Sequence, residues 1–254
     1  MRNLLLTILL FSGIANAQLE VSIVTDWETV SHYGSVDEAN NVIDSTIAYA
    51  DILYNNQLDL YIDVIYRDVP QIENDDKLPN HTHPEALMDA LFDYRIASTD
   101  HMNADLTILL TTRKLSTGST NYVGYARIKS ICSANALVIV SLYDNGLDGQ
   151  TLAHELAHVL GAVHDGDSPC ESTPSRGYLM SSAVHNGNDN LSQCSIDTIK
   201  STLAVFGSCM AESVPEVVVP PVTTPVANSG GGAIGIFTLL LLLVVTMRKH
   251  GRTS

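Results

Sequence analysis

His154 and His158 stand four residues apart in the run His154-Glu155-Leu156-Ala157-His158-Val159-Leu160-Gly161-Ala162-Val163-His164-Asp165. Residues i and i+4 of a helix share one face, a turn apart, so the two imidazoles can aim nitrogens at one metal ion. Leu152, Leu156, Val159 and Leu160 give such a helix an apolar face, and Ala153 and Ala157 leave room around the site. Gly161 accepts the left-handed turn that ends a helix, after which the chain swings back and brings His164 to the same point. Three neutral imidazoles leave a fourth position open, as in catalytic rather than structural zinc sites, and Glu155 is free to take a proton from water there. A histidine pair alone is common on helices that bind nothing. A chance match at all five positions (His, Glu, His, Gly, His) is of order one in a million per start point.

The rest of the chain has to build a body around that helix. Leu19 to Thr25 alternates apolar and polar residues, which predicts a strand, and Leu58 to Val69 repeats the pattern. Val36 to Tyr54 carries Val42, Ile43, Ile47, Ala50 and Leu53 at helical spacing, with Ser35 as its cap. Pro84 opens a second helix to Ile96. Asp105 to Thr112, Tyr122 to Lys129 and Ala136 to Leu142 read as strands, Leu147 to Leu160 as the site helix, and Ser195 to Phe206 as a last helix. This order implies an α/β domain with a mixed sheet. His81 and His83 flank Thr82 among Pro79, Asn80 and Pro84, a loop with no third ligand nearby.

Both ends differ from this body. Residues 1–17 read as a secretory signal peptide, with Arg2, an apolar stretch from Leu4 to Phe11, and Ala15-Asn16-Ala17 as the cleavage site. Residues 18–212 form the expected domain. Residues 213–232 are a linker rich in Pro, Val and Thr and then Gly; residues 233–247 are an apolar helix at the short edge of membrane-spanning length; residues 248–254 are a basic tail. The glycine cluster, apolar helix and basic tail together resemble the Gly-Gly C-terminal sorting signals of Gram-negative bacteria. That resemblance implies a membrane-held precursor, a sorting protease as partner, and an envelope, surface or extracellular location. All 28 acidic residues lie between Glu20 and Glu216, whereas Arg2, Arg248, Lys249 and Arg252 lie at the ends. The body is therefore more acidic than the whole chain's −15, which argues against nucleic-acid binding. Cys132, Cys170, Cys194 and Cys209 suggest two disulfides in an exported chain, with three connectivities open.

His-Glu-x-x-His-x-x-Gly-x-x-His is the metzincin zinc signature. With Asp165 after the third histidine, the run is similar to the adamalysin or reprolysin branch, the catalytic domain of ADAM proteases and snake-venom metalloproteinases. The resemblance implies a zincin domain: a mixed, mostly parallel twisted sheet, a long active-site helix and a smaller C-terminal subdomain. It implies one Zn2+ on His154, His158 and His164, with Glu155 as general acid and base. Met180 becomes the Met-turn methionine, Cys132 pairs with Cys209, and Cys170 pairs with Cys194. The segment from Gly124 to Ser133 resembles the approach to the edge strand that lines the cleft; the strand around Ala136 to Leu142, or the segment before it, is expected to take a protein or peptide substrate by strand addition. Calcium near the domain end is implied through Glu20 and Asp100. The chain departs from the family in having cysteines for two disulfides rather than three, with Tyr178 near a usual cysteine position, and in showing no propeptide after the expected cleavage site. A zinc amidase acting on cell-wall peptides and a non-catalytic adhesion module on the same scaffold are the alternatives.

Overall fold

The alternating residues of β1 (Ala17–Thr25) form the strand around which the sheet is laid. Asp26 ends it and caps α1 (Trp27–Tyr33) by accepting the Thr29 amide. Ser35 caps α2 (Val36–Leu58) by accepting the Glu38 amide, and α2 returns the chain to β2 (Leu60–Asp68). Pro84 opens α3 (Pro84–Ile96), and α4 (Thr99–Asn103) leads into β3 (Leu106–Thr111). A small hairpin, β4 (Leu115–Ser116) and β5 (Asn121–Tyr122), precedes β6 (Gly124–Ala126) and β7 (Leu137–Ser141). The site helix α5 (Asp148–Val159), then α6 (Gln193–Phe206) and the two-residue β8 (Ala211–Glu212) complete the order.

The main sheet runs β2-β1-β3-β7-β6, with β8 on the end of β1. The pairs among β2, β1, β3 and β7 are parallel, and β6 is antiparallel to β7. Every residue of β3 and β7 is buried, as expected of parallel strands covered on both faces, whereas the edge strand β2 is buried only at Leu60 and then runs through half-buried and exposed positions. Ile23, Ile108, Leu110, Val138 and Val140 face α2 and α5 in one core, and Leu109, Leu137 and Ile139 face Leu87, Met88 and Leu91 of α3 in another. The expected α/β fold with a mixed, mostly parallel sheet is what forms.

The computed structural model describes residues 17–183 and 187–212, all within one compact unit, Met1–Pro215. The signal segment before Ala17, the linker, the apolar run and the basic tail lie outside the described residues. Among the described residues no helix is long and apolar enough to cross a membrane.

One expectation changes, and one pair of alternatives is narrowed. The strand expected from Tyr122 to Lys129 is cut to β5 and β6, because positive φ at Lys129 (55°) and Cys132 (64°) turns the chain off the sheet. Its backbone instead serves α5: the Lys129 amide donates to His158 O, and those of Ser130 and Ile131 donate to Val159 O. The strand from Leu137 to Ser141 is interior, so the free edge belongs to β6, the segment before it.

Candidate active site

α5 holds the first two histidines, and its apolar face fixes it: Leu152, Leu156 and Val159 are fully buried. Tyr54 of α2 lies beneath it and donates its hydroxyl to Ala153 O at 2.7 Å. The helix ends in a Schellman turn. The Gly161 amide donates to His158 O, the Ala162 amide donates to Ala157 O, and Gly161 takes φ 104°. A β-carbon at Gly161 would also lie 2.4 Å from Thr202 Oγ1 of α6, so space and backbone both require glycine there.

This turn delivers His164 to the pair. Its Nε2 is 3.3 Å from His154 Nε2 and 3.2 Å from His158 Nε2. Tetrahedral zinc with bonds of 2.0–2.1 Å sets its nitrogen ligands about 3.3–3.4 Å apart, so these spacings suit that ion. The tautomers suit it as well. His154 Nδ1 donates to Leu179 O at 2.7 Å and His158 Nδ1 donates to Ala162 O at 2.8 Å, which leaves each Nε2 lone pair pointing at the common centre. Lone pairs facing one another repel, and a shared cation removes that repulsion. Burial first, and then neighbouring imidazoles, lower His154 to about 3; burial lowers His158 to about 4, so both are neutral and fit to ligate. Among the described residues these three histidines are the one group with this metal-holding geometry.

Glu155 is 5% exposed, and burial raises its carboxyl to about 8. Met180 is fully buried, and its carbonyl accepts the Asp165 amide at 2.8 Å. Asp165 is buried and accepts hydroxyl bonds from Ser192 (2.5 Å) and Ser195 (3.3 Å), tying the His164 loop to the start of α6. The disulfides are Cys132–Cys209 and Cys170–Cys194. The segment that lacks a third bridge is held by backbone bonds around Cys170 and by Cys194 on α6.

The cleft over these groups, about 710 Å3, is lined by Tyr122, Gly124, Tyr125, Tyr143, Asp148 and Ser182 beside the histidines and Glu155. A larger concavity, about 790 Å3 near Trp27, Arg113 and Asp144, contains none of the three histidines. The chemistry therefore selects the smaller one.

Glu20 lies elsewhere, beside Asp105. The pairing of Val21 with Leu106 sets Asp105 beside it: the Asp105 amide donates to Glu20 O, and Asp105 Oδ2 accepts the Glu20 amide, both at 2.8 Å. Asp100 is exposed on α4. Sequence inspection missed the carbonyl acceptors at Leu179 and Ala162 and the close packing at Gly124. Only Gly124 carried a signal, since glycine inside a strand marks a close approach.

Two buried imidazoles on a helix and a half-buried third on its returning loop, with a carboxyl on the same helix, define a single-metal hydrolase type of site on an α/β scaffold. The sequence profile of the family "Reprolysin (M12B) family zinc metalloprotease" matches residues 18–213. The chain belongs to that family. It is similar to "Disintegrin and metalloproteinase domain-containing protein unc-71" of Caenorhabditis elegans, with 26% identity over 170 residues, 64% of this chain and 15% of that protein. It is also similar to "Venom metalloproteinase BumaMPs1" of Olivierus martensii, with 33% identity over 105 residues, 37% of this chain and 27% of that one. The chain thus spans well under half the length of these relatives. A solved structure titled "Structure of a chaperone-substrate complex" shares the fold at TM-score 0.58 and 14% identity, covering 78% of this chain and 36% of that one.

Proposed function

We propose that the chain is a zinc-dependent endopeptidase that hydrolyses peptide bonds in proteins. The approach of His164 Nε2 to within 3.2–3.3 Å of the Nε2 atoms of His154 and His158, with both helical histidines oriented by backbone carbonyls, carries this reading. His154, His158 and His164 hold the metal. Zinc, when bound, supplies Lewis acidity: it acidifies water and polarises a carbonyl. The positive charge of a metal on the histidines would favour the ionised Glu155 carboxylate against its burial, and Glu155 then takes the proton from the attacking water and passes it to the leaving amine. Burial keeps bulk water from this carboxyl, and a substrate backbone adds to the free edge of β6 beside it. Met180 forms the floor beneath the histidines.

Export is part of the proposal. The leader-like residues 1–17, two disulfides and a venom metalloproteinase among the relatives support it. Processing before Gln18, a membrane-held stage through residues 233–247 and removal of that tail by a sorting protease in a Gram-negative envelope complete it. N-terminal sequencing and intact mass of the exported chain test these steps. A calcium ion near the domain end, held through Glu20 and Asp100, is a separate proposal that rests on the family resemblance. Millimolar calcium should raise the melting midpoint of the wild type and leave Glu20→Gln unmoved.

A digestion panel tests the activity. Casein and gelatin should be cleaved, with loss of cleavage on chelation and recovery on adding zinc. Release of fragments from peptidoglycan, with casein left intact, would favour the cell-wall amidase instead.

A further inference from the structure

Gly124 is the first residue of β6, and it lies against the one carboxyl that the proposed reaction needs. A β-carbon there would sit 2.5 Å from Glu155 Oε1, 2.6 Å from its Cγ and 2.8 Å from its Cδ. All three distances are below the 3.0 Å that real β-carbons keep. Because Cγ is among them, turning the end of the Glu155 side chain cannot relieve the overlap.

Neither element can retreat without cost to the site. α5 is held by the Nδ1 bonds of His154 and His158 and by its Schellman turn. β6 is held by the ladder that pairs Gly124 with Val140, and by the Ser141 amide donating to Val123 O at 2.8 Å. Backbone conformation does not ask for glycine here. The described glycines with positive φ are Gly34, Gly118, Gly146, Gly161, Gly166, Gly177 and Gly187, and Gly124 is not one of them. Glycine also weakens a strand, so the strand's own stability disfavours it. Space for Glu155 is what remains.

We propose that Gly124 is a positioning residue for the peptidase reaction: its missing side chain lets the substrate-binding edge run against α5 and keeps the Glu155 carboxyl turned to the histidine cluster. This rests on the endopeptidase assignment above. The two are adjacent by design of the fold, since the strand that receives substrate is also the wall that sets the base.

The test uses the full chain as wild type, Gly124→Ala, Glu155→Ala and the double variant, with zinc content, kcat and KM on a quenched fluorescent peptide, and thermal melting. Gly124→Ala should hold one zinc and lose kcat by at least about 100-fold, the lower range for a displaced general base, with KM within about threefold. The double variant should be no slower than Glu155→Ala. Melting should fall on Gly124→Ala in the wild-type background and stay unchanged in the Glu155→Ala background. If Gly124→Ala does not fold but the double variant does, the contact is upheld; if neither folds, it is refuted. A kcat within threefold of wild type, or a further large loss from Gly124→Ala once Glu155 is gone, overturns the proposal and leaves the peptidase assignment intact. A wild-type chain that holds zinc and cleaves nothing removes both.

Discussion

At the scale of single residues, the sequence displays ligands better than it displays what orients them. His154, His158, His164 and Glu155 could be read from spacing alone, because a helix converts i and i+4 into one face. The carbonyls of Leu179 and Ala162 could not, since every residue carries a carbonyl and only the tertiary fold brings these two to the imidazoles. Replacing His164 with Ala should abolish stoichiometric zinc binding while Glu155→Gln retains it, as metal analysis of the purified chains will show. Asp105 was hidden for a different reason. Its neighbour Glu20 is 85 residues away, and only the parallel register of β1 with β3 joins them. Burial, opposed by the Glu20 amide, raises the Asp105 carboxyl to about 6 from an ordinary value near 3.8. A carboxyl raised in this way binds its proton more tightly folded than unfolded. Its stabilising contribution is therefore complete below about pH 4 and is lost as pH rises through about 6. Asp105→Asn should flatten that dependence. In calcium-free buffer at pH 8 it should be more stable than wild type by of order 2–3 kcal/mol in urea denaturation.

Among elements, α5 was the most legible, because its apolar face, its histidine spacing and its terminal glycine all agree. The short pieces α1, α4 and the β4–β5 hairpin were not anticipated: five or seven residues give too little periodicity to stand out. The β6 segment misled for a physical reason. Its sequence alternates well enough for a longer strand, but the orphan carbonyls at the end of α5 claim the amides of residues 129–131, and the chain leaves the sheet to reach them. Gly161 is the hinge of this arrangement. Gly161→Ala meets both a positive φ and the Thr202 hydroxyl, so it should cost about 1–3 kcal/mol and weaken zinc binding together. Calorimetry of the apo and zinc-loaded chain separates the two losses.

For the molecule as a whole, the mixed sheet and its helical cover follow from the element order, whereas the edge that lines the cleft and the cysteine pairing were legible only through the family resemblance, and the fold shows Cys132–Cys209 and Cys170–Cys194. Cys132–Cys209 closes a span of 77 residues and anchors the segment that caps α5. Changing both to Ser should lower stability by about 2–4 kcal/mol and reduce zinc affinity, measured by denaturant titration and by competition with a chelating dye. The central claim concerns the division of labour within α5: histidines bind the metal and Glu155 moves the proton. Its most direct test is the zinc stoichiometry and casein-cleavage rate of Glu155→Ala beside wild type. The account expects about one zinc in each chain and a rate lowered by about 10²–10⁴-fold in the variant. A variant that holds one zinc and cleaves casein as fast as wild type would contradict it.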